Sequence, residues 1–229
     1  MVPLELPAPA DRPLRLLALG AHSDDLEIGC AGLVIRAIAE LPAVEICWAV
    51  AGAGGERGDE ATGSAAELLA GASATTIVLG EFTDGYMPYV GADIKRWVHA
   101  LADAEPDIVL VHHRDDLHQD HRLLAELALN AFRDHLILGY EIPKYDGDLG
   151  RPNVFVPLDR QTVDRKLSQL ERHFGTQRGK DWFDAETFRG LMRLRGVECR
   201  APEGYAEAFY SAKAVLGLGP GHGEARPRT

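Results

Sequence analysis

Runs of lysine and arginine are absent, and 35 acidic residues against 24 basic ones leave a formal charge of −11. Nucleic-acid binders gather positive charge on one face, so nucleic acid is not an expected partner. Cysteine is scarce: Cys30, Cys47 and Cys199 lie far apart with no CxxC, which leaves neither a disulfide framework nor a zinc knuckle and fits a reducing compartment. No apolar run approaches the roughly 18 residues of a membrane span. The opening MVPLELPAPADRP has no apolar stretch of signal-peptide length, so a cytoplasmic location is expected. No internal repeat is present. The glycine-rich GAHSDDLEIGCAG lacks GxGxxG, because charged and bulky groups occupy the tight phosphate turn of a dinucleotide site.

What is present is alternation. A chain of 229 residues is long enough for one well-filled core. Residues 1–12 and 217–229 are expected as flexible tails around a domain spanning 13–216. Strand-like runs at 14–19, 44–50, 75–79 and 107–111 alternate with helical periodicity at 26–40, 65–70, 94–101 and 123–131, the pattern of βαβ units. The fold class that follows is α/β: a Rossmann-like three-layer sandwich with a mostly parallel sheet in a single domain. Beyond Phe132 the pattern loosens into an apolar run at 136–142, a turn-rich KYDGDLGRPN, a short strand at 154–156 and helical stretches at 163–172 and 185–195.

Two clusters carry the chemistry. His22 and Asp25 lie three residues apart where the first strand-like run enters a helix, and His118 and His121 lie three apart after the fourth, with Asp115, Asp116 and Asp120 around them. Imidazole and carboxylate together suit Zn²⁺ or Fe²⁺. Parallel strands would bring both clusters to one carboxyl edge, where open α/β sheets place ligands. Two plainer readings stand beside this. Asp24 with Glu27 fits a capping box, and aspartates beside His118 and His121 fit ordinary helix caps. His112, His113, His135 and His173 show no spacing that assigns them a partner.

HSDDLEIGCAG resembles the HPDDxE signature, and DDLHQDHR the DxHxDH signature, of the LmbE/PIG-L family of metal-dependent N-acetyl-sugar deacetylases. The resemblance extends through GERG, FTDG, PDIVLVHHRDDLHQDH and YAEAF. It implies metal ligands at His22, Asp25 and His121, a general base at Asp24, an oxyanion-stabilising or proton-donating His118, and an Asp120 that orients a neighbouring histidine. Asp84, in FTDG, matches a position that binds sugar hydroxyls, with a plain Asp-Gly turn as the equal alternative. Arg57, in GERG, is placed to meet a substrate phosphate or carboxylate or to stand as a solvated loop charge. Glu27 is expected to support the first metal loop. Ser23 replaces the family's usual proline and so loses a fixed φ, while its hydroxyl is a candidate cap for the helix.

The function implied is zinc-dependent removal of the N-acetyl group from an amino sugar or its glycoside or nucleotide conjugate, with Fe²⁺ as another possible metal. The expected partner is that small molecule, with a homo-oligomer possible. A Rossmann-type nucleotide-binding enzyme and a non-enzymatic, metal-retaining sugar-binding module are the alternatives. Structural zinc sites are normally closed by four ligands, so three ligands with a spare base favour catalysis.

Overall fold

Along β1 (Leu14–His22) Leu16 and Ala18 face one core and Leu17, Leu19 and Ala21 the other. A strand buried on both faces in this way belongs at the centre of a sheet covered by helices on each side. The computed structural model describes residues 3–4, 9 and 11–215, and β1 lies inside its seven-stranded sheet.

The remaining elements are α1 (Asp25–Glu40), β2 (Val44–Gly52), α2 (Glu56–Leu68), β3 (Ala74–Leu79), α3 (Gly91–Ala100), β4 (Ile108–His112), α4 (Gln119–Ala131), β5 (Leu136–Tyr140), β6 (Val154–Leu158), α5 (Arg160–His173), α6 (Ala185–Cys199) and β7 (Tyr205–Ser211). The sheet order is β3-β2-β1-β4-β5-β7-β6. The first five strands in that order pair in parallel, and β7 runs antiparallel to both β5 and β6. Helices α1, α2, α5 and α6 pack one face, and α3 and α4 the other. The α/β class, the mostly parallel sheet and the single domain are as expected from sequence.

Three details differ from the sequence reading. Helix α2 begins at Glu56, ahead of the helical periodicity expected at 65–70. Gly55, at φ +60°, turns the chain into it, a conformation that glycine adopts without steric cost. Strand β7 was not expected as a strand. Its Glu207 is buried, and both carboxylate oxygens take backbone amides from the middle of α1, Gly32 and Leu33, at 2.7 Å each. Lys166 of α5 pairs with the same carboxylate at 2.6 Å, so three elements meet on one buried side chain. Arg12, counted with the tail, forks onto Asp107. Residues 217–229 lie outside the described residues.

The strand order reverses between β1 and β4, which are neighbours. This is a topological switch point, and the crevice outside the carboxyl ends there is where such sheets bind ligands. β1 ends at His22 and β4 at His112.

Candidate metal centre

The loop leaving β1 enters α1 at once, with Asp24 as the N-cap residue. The His22 amide donates to Asp25 Oδ2 at 2.7 Å, which fixes that carboxylate under the end of the strand. From the other cluster, α4 starts at Gln119 and carries His121 in its first turn, so the helix aims the imidazole back toward β1. His22 Nδ1, Asp25 Oδ2 and His121 Nε2 then lie 3.2, 3.3 and 3.5 Å from one another. Three ligands about 2.1 Å from one tetrahedral ion would stand roughly 3.4 Å apart. The donor set therefore fits a small divalent metal. Each of the three residues is buried.

Further histidines crowd the same point, and their hydrogen bonds tell them apart. Asp25, His112 and His121 also lie within ligating reach, but His112 Nε2 already accepts the Ala21 amide at 3.0 Å. His112 stacks flat on His121, with ring centroids 3.8 Å apart and planes 16° apart, and this sets the plane of the His121 ring. Its Nδ1 is buried without a hydrogen-bond partner. His118 is the N-cap of α4, where its Nδ1 accepts the Asp120 amide at 3.3 Å. Its ring meets that of His22 edge-on at 5.0 Å, and it too lies within ligating reach of His22 and His121.

The outer nitrogens of His22 and His121 are met by carboxylates, the arrangement found behind metal-bound histidines. His22 Nε2 lies 3.2 Å from Asp120 Oδ2 and 3.0 Å from Asp84 Oδ1. Asp120 itself accepts the amides of Gly85 and Met87. The histidine that Asp120 meets is His22, 98 positions away. His121 Nδ1 is 3.0 Å from Asp116 Oδ2. Asp116 and His112 were not singled out as site residues. The signal for His112 was available, since a histidine closes the apolar run of β4 as His22 closes that of β1. Asp116 has no periodic relation to His121 that sequence could reveal.

Asp24 is not spent on the helix it caps. Its side chain makes no cap hydrogen bond, and its nearest cationic partner is Arg57 at 3.8 Å. Burial, then the neighbouring Asp25, push its carboxyl up to about 6. Asp25 goes the other way: burial opposes it, but His121, His112 and His22 hold it well below the usual range. Burial, with His112 nearby, lowers His121 to about 3, which leaves a neutral ring. Although burial opposes it, Asp25 holds the His22 imidazolium well above its ordinary range, so loading a metal there would release a proton. Burial and the charge of His22 lower His118.

Several expectations are corrected. The capping box is not formed: the Glu27 carboxyl bonds to Ser64 Oγ of α2 at 2.5 Å and so supports the packing of α1 on α2 instead of the metal loop. Ser23 does not cap the helix; its hydroxyl accepts from Arg57 Nε at 3.3 Å. Arg57 pairs with Asp84 at 2.8 Å and reaches Asp24 at 3.8 Å, with its side chain still partly exposed. Asp84 is half-exposed and tied to His22 and Arg57.

A family model described as PIG-L, GlcNAc-PI de-N-acetylase, matches residues 17–132, just over half of the chain. Among solved structures, a conserved protein from Thermus thermophilus is 23% identical, with TM-score 0.70, 90% of this chain and 97% of that one covered. N,N'-diacetylchitobiose deacetylase from Pyrococcus horikoshii is 20% identical, with TM-score 0.65 and coverages of 86% and 83%. The hydratase GalB from Pseudomonas putida, which acts on 4-carboxy-2-hydroxymuconate, is 17% identical, with TM-score 0.68 and coverages of 90% and 99%. At these identities the likeness concerns the fold, and one fold that carries both a deacetylase and a hydratase does not choose the reaction. No curated protein matches the chain.

Proposed function

The chain belongs to the PIG-L family and is a deacetylase, and from that premise we propose that it hydrolyses the N-acetyl amide of an amino sugar or its conjugate, with Zn²⁺ held by His22, Asp25 and His121. The observation that carries this reading is the set of three ligand atoms 3.2–3.5 Å apart with an uncommitted carboxylate, Asp24, beside it. A structural zinc site would close the fourth position with another protein ligand. Here the adjoining side chain is a base.

An amide needs an activated water, a polarised carbonyl and a proton for the departing nitrogen. A divalent ion held by His22, Asp25 and His121 would lower the pKa of a water to about 7 and would supply a Lewis acid. Asp24 takes the proton as the water's oxygen bonds to the acetyl carbon. As the carbon–nitrogen bond breaks, Asp24 returns that proton to nitrogen, so that acetate and a free amine leave. His118, with Nδ1 engaged by the Asp120 amide, has Nε2–H left to donate to the carbonyl oxygen as negative charge builds there. Asp120 holds His22 in place. Arg57 and Asp84 neutralise each other at the mouth, which favours an uncharged sugar hydroxyl over a phosphate as their contact.

The test is a panel of N-acetyl sugars, sugar nucleotides and N-acetylated glycosides offered to metal-stripped protein with Zn²⁺ or Fe²⁺ restored. One amine and one acetate released per turnover, only with metal, is the expected result. A protein carrying one metal per chain that releases neither from any member of the panel would overturn the reading.

A further inference from the structure

Lys144 lies four residues past the end of β5, on the same carboxyl edge of the sheet as the two clusters. Its ammonium is buried, with the side chain only 8% exposed. It reaches Asp116 Oδ2 at 3.0 Å and Asp148 Oδ2 at 2.5 Å, with the Ile142 carbonyl at 3.5 Å and Asp146 at 3.9 Å. The Asp116 oxygen it meets is the one that faces His121 Nδ1, and the other oxygen takes the His118 amide at 2.8 Å. Asp148 Oδ2 takes the Leu117 amide, also at 2.8 Å. One ammonium thus gathers two carboxylates that between them fix the backbone at 117 and 118 and the ring of His121. Among the described residues, Lys144 is the only lysine or arginine paired with the Asp116 side chain.

We propose that Lys144 is a positioning residue of the metal centre: through Asp116 it holds His121 Nε2 on the metal, and through Asp116 and Asp148 it holds the turn that presents His118. Burying an ammonium is costly unless it is paired and hydrogen-bonded. A lysine that only neutralised a surface loop would gain little from being driven under it. Without the ammonium, Asp116 and Asp148 face one another as like charges and part, and the His121 ring loses the acceptor that sets its direction.

This rests on the reading of His22, Asp25 and His121 as ligands, and the experiment separates the two. Zinc affinity is measured by competition with a chromophoric chelator for the wild type, Lys144→Met, Lys144→Arg and the double variant Lys144→Met/Asp148→Asn, each checked for its fold by circular dichroism. The expected result is one zinc per wild-type chain and a loss of about 10- to 100-fold in affinity in Lys144→Met, the usual cost of removing a partner behind a metal-bound histidine. Lys144→Arg is expected to recover most of it. The double variant removes the surplus carboxylate and is expected to regain thermal stability but not zinc affinity. Full zinc affinity in the folded double variant would overturn the proposal, because Lys144 would then only neutralise Asp148. Wild-type affinity in Lys144→Met would overturn it as well. A wild type that binds no zinc would instead overturn the ligand assignment.

Discussion

Asp24 and Asp25 are adjacent, equally buried carboxylates with opposite surroundings. Asp25 is encircled by imidazoles and held well below its ordinary range, while burial and the charge of Asp25 push Asp24 up to about 6 against the weaker pull of His22 and Arg57. In the proposed reading the anion among histidines is the ligand and the carboxylate that gains a proton readily is the base. Asp24→Asn is therefore expected to keep its zinc and lose about 10²- to 10⁴-fold in turnover, read by metal analysis and steady-state rates on one preparation. Metal loss in that variant would exchange the roles of the two aspartates. His118 is distinguished in the same way. If it donates to the carbonyl oxygen, His118→Ala lowers kcat by roughly 10²- to 10³-fold with KM and zinc content nearly unchanged. A variant that loses its zinc would make His118 a fourth ligand.

At the scale of elements, α1 is fixed by side chains from far along the chain. Its first turn bears Asp25, its next residues carry Glu27 into a buried hydrogen bond with Ser64 of α2, and Gln169 of α5 donates to the same serine. Gly29 gives α1 its approach to β5: a Cβ there would lie 2.1 Å from the ring of Tyr140, whose hydroxyl is bonded to the Leu19 carbonyl of β1. Burial pushes the Glu27 carboxyl up to about 8 from an ordinary 4.5. A group whose folded value is raised favours the folded state fully below its unfolded value, and that contribution is lost as pH rises through the folded one. Between pH 4.5 and about 8, the metal-free wild type is expected to lose stability relative to Glu27→Gln. Urea unfolding in chelator across that range checks this. Parallel curves for the two proteins would mean that Glu27 stays solvated enough to ionise normally.

For the whole molecule, a site built from both βα units on either side of the switch point would make metal binding a clamp on the fold. His22 and Asp25 follow β1, and His121 follows β4. An ion bound only by the folded chain stabilises it by about 2.7 kcal/mol at a hundredfold excess over its Kd, which for a chain of this size raises Tm by roughly 5–10 °C. Calorimetry with zinc and with chelator is expected to show that difference. It should vanish in His121→Ala, and a shift that survived there would place the metal elsewhere. Among the described residues no helix is long and apolar enough to cross a membrane.

The sequence alone determined the α/β class and the two clusters, because both are local properties. Strand and helix periods are written in consecutive residues, and His22 with Asp25, like His118 with His121, share a single turn. It could not determine which nitrogen faces the metal, that Asp120 serves His22 and not its own neighbours, or that His112, Asp116 and Lys144 belong to the same centre. Apart from the local contact of Asp116 with His121, those are contacts between segments that only strand order brings together. Strand β7 escaped notice for a related reason. Its buried Glu207 makes the run YAEAFYS look half-solvated, and the charge becomes intelligible only when the α1 amides and Lys166 are in place around it. Helix α2 starts well before the periodicity at 65–70, and its Gly58 sits where a Cβ would strike the Ala53 carbonyl at 2.3 Å. Local pattern fixes what each segment is, and burial against distant segments decides what its polar side chains do.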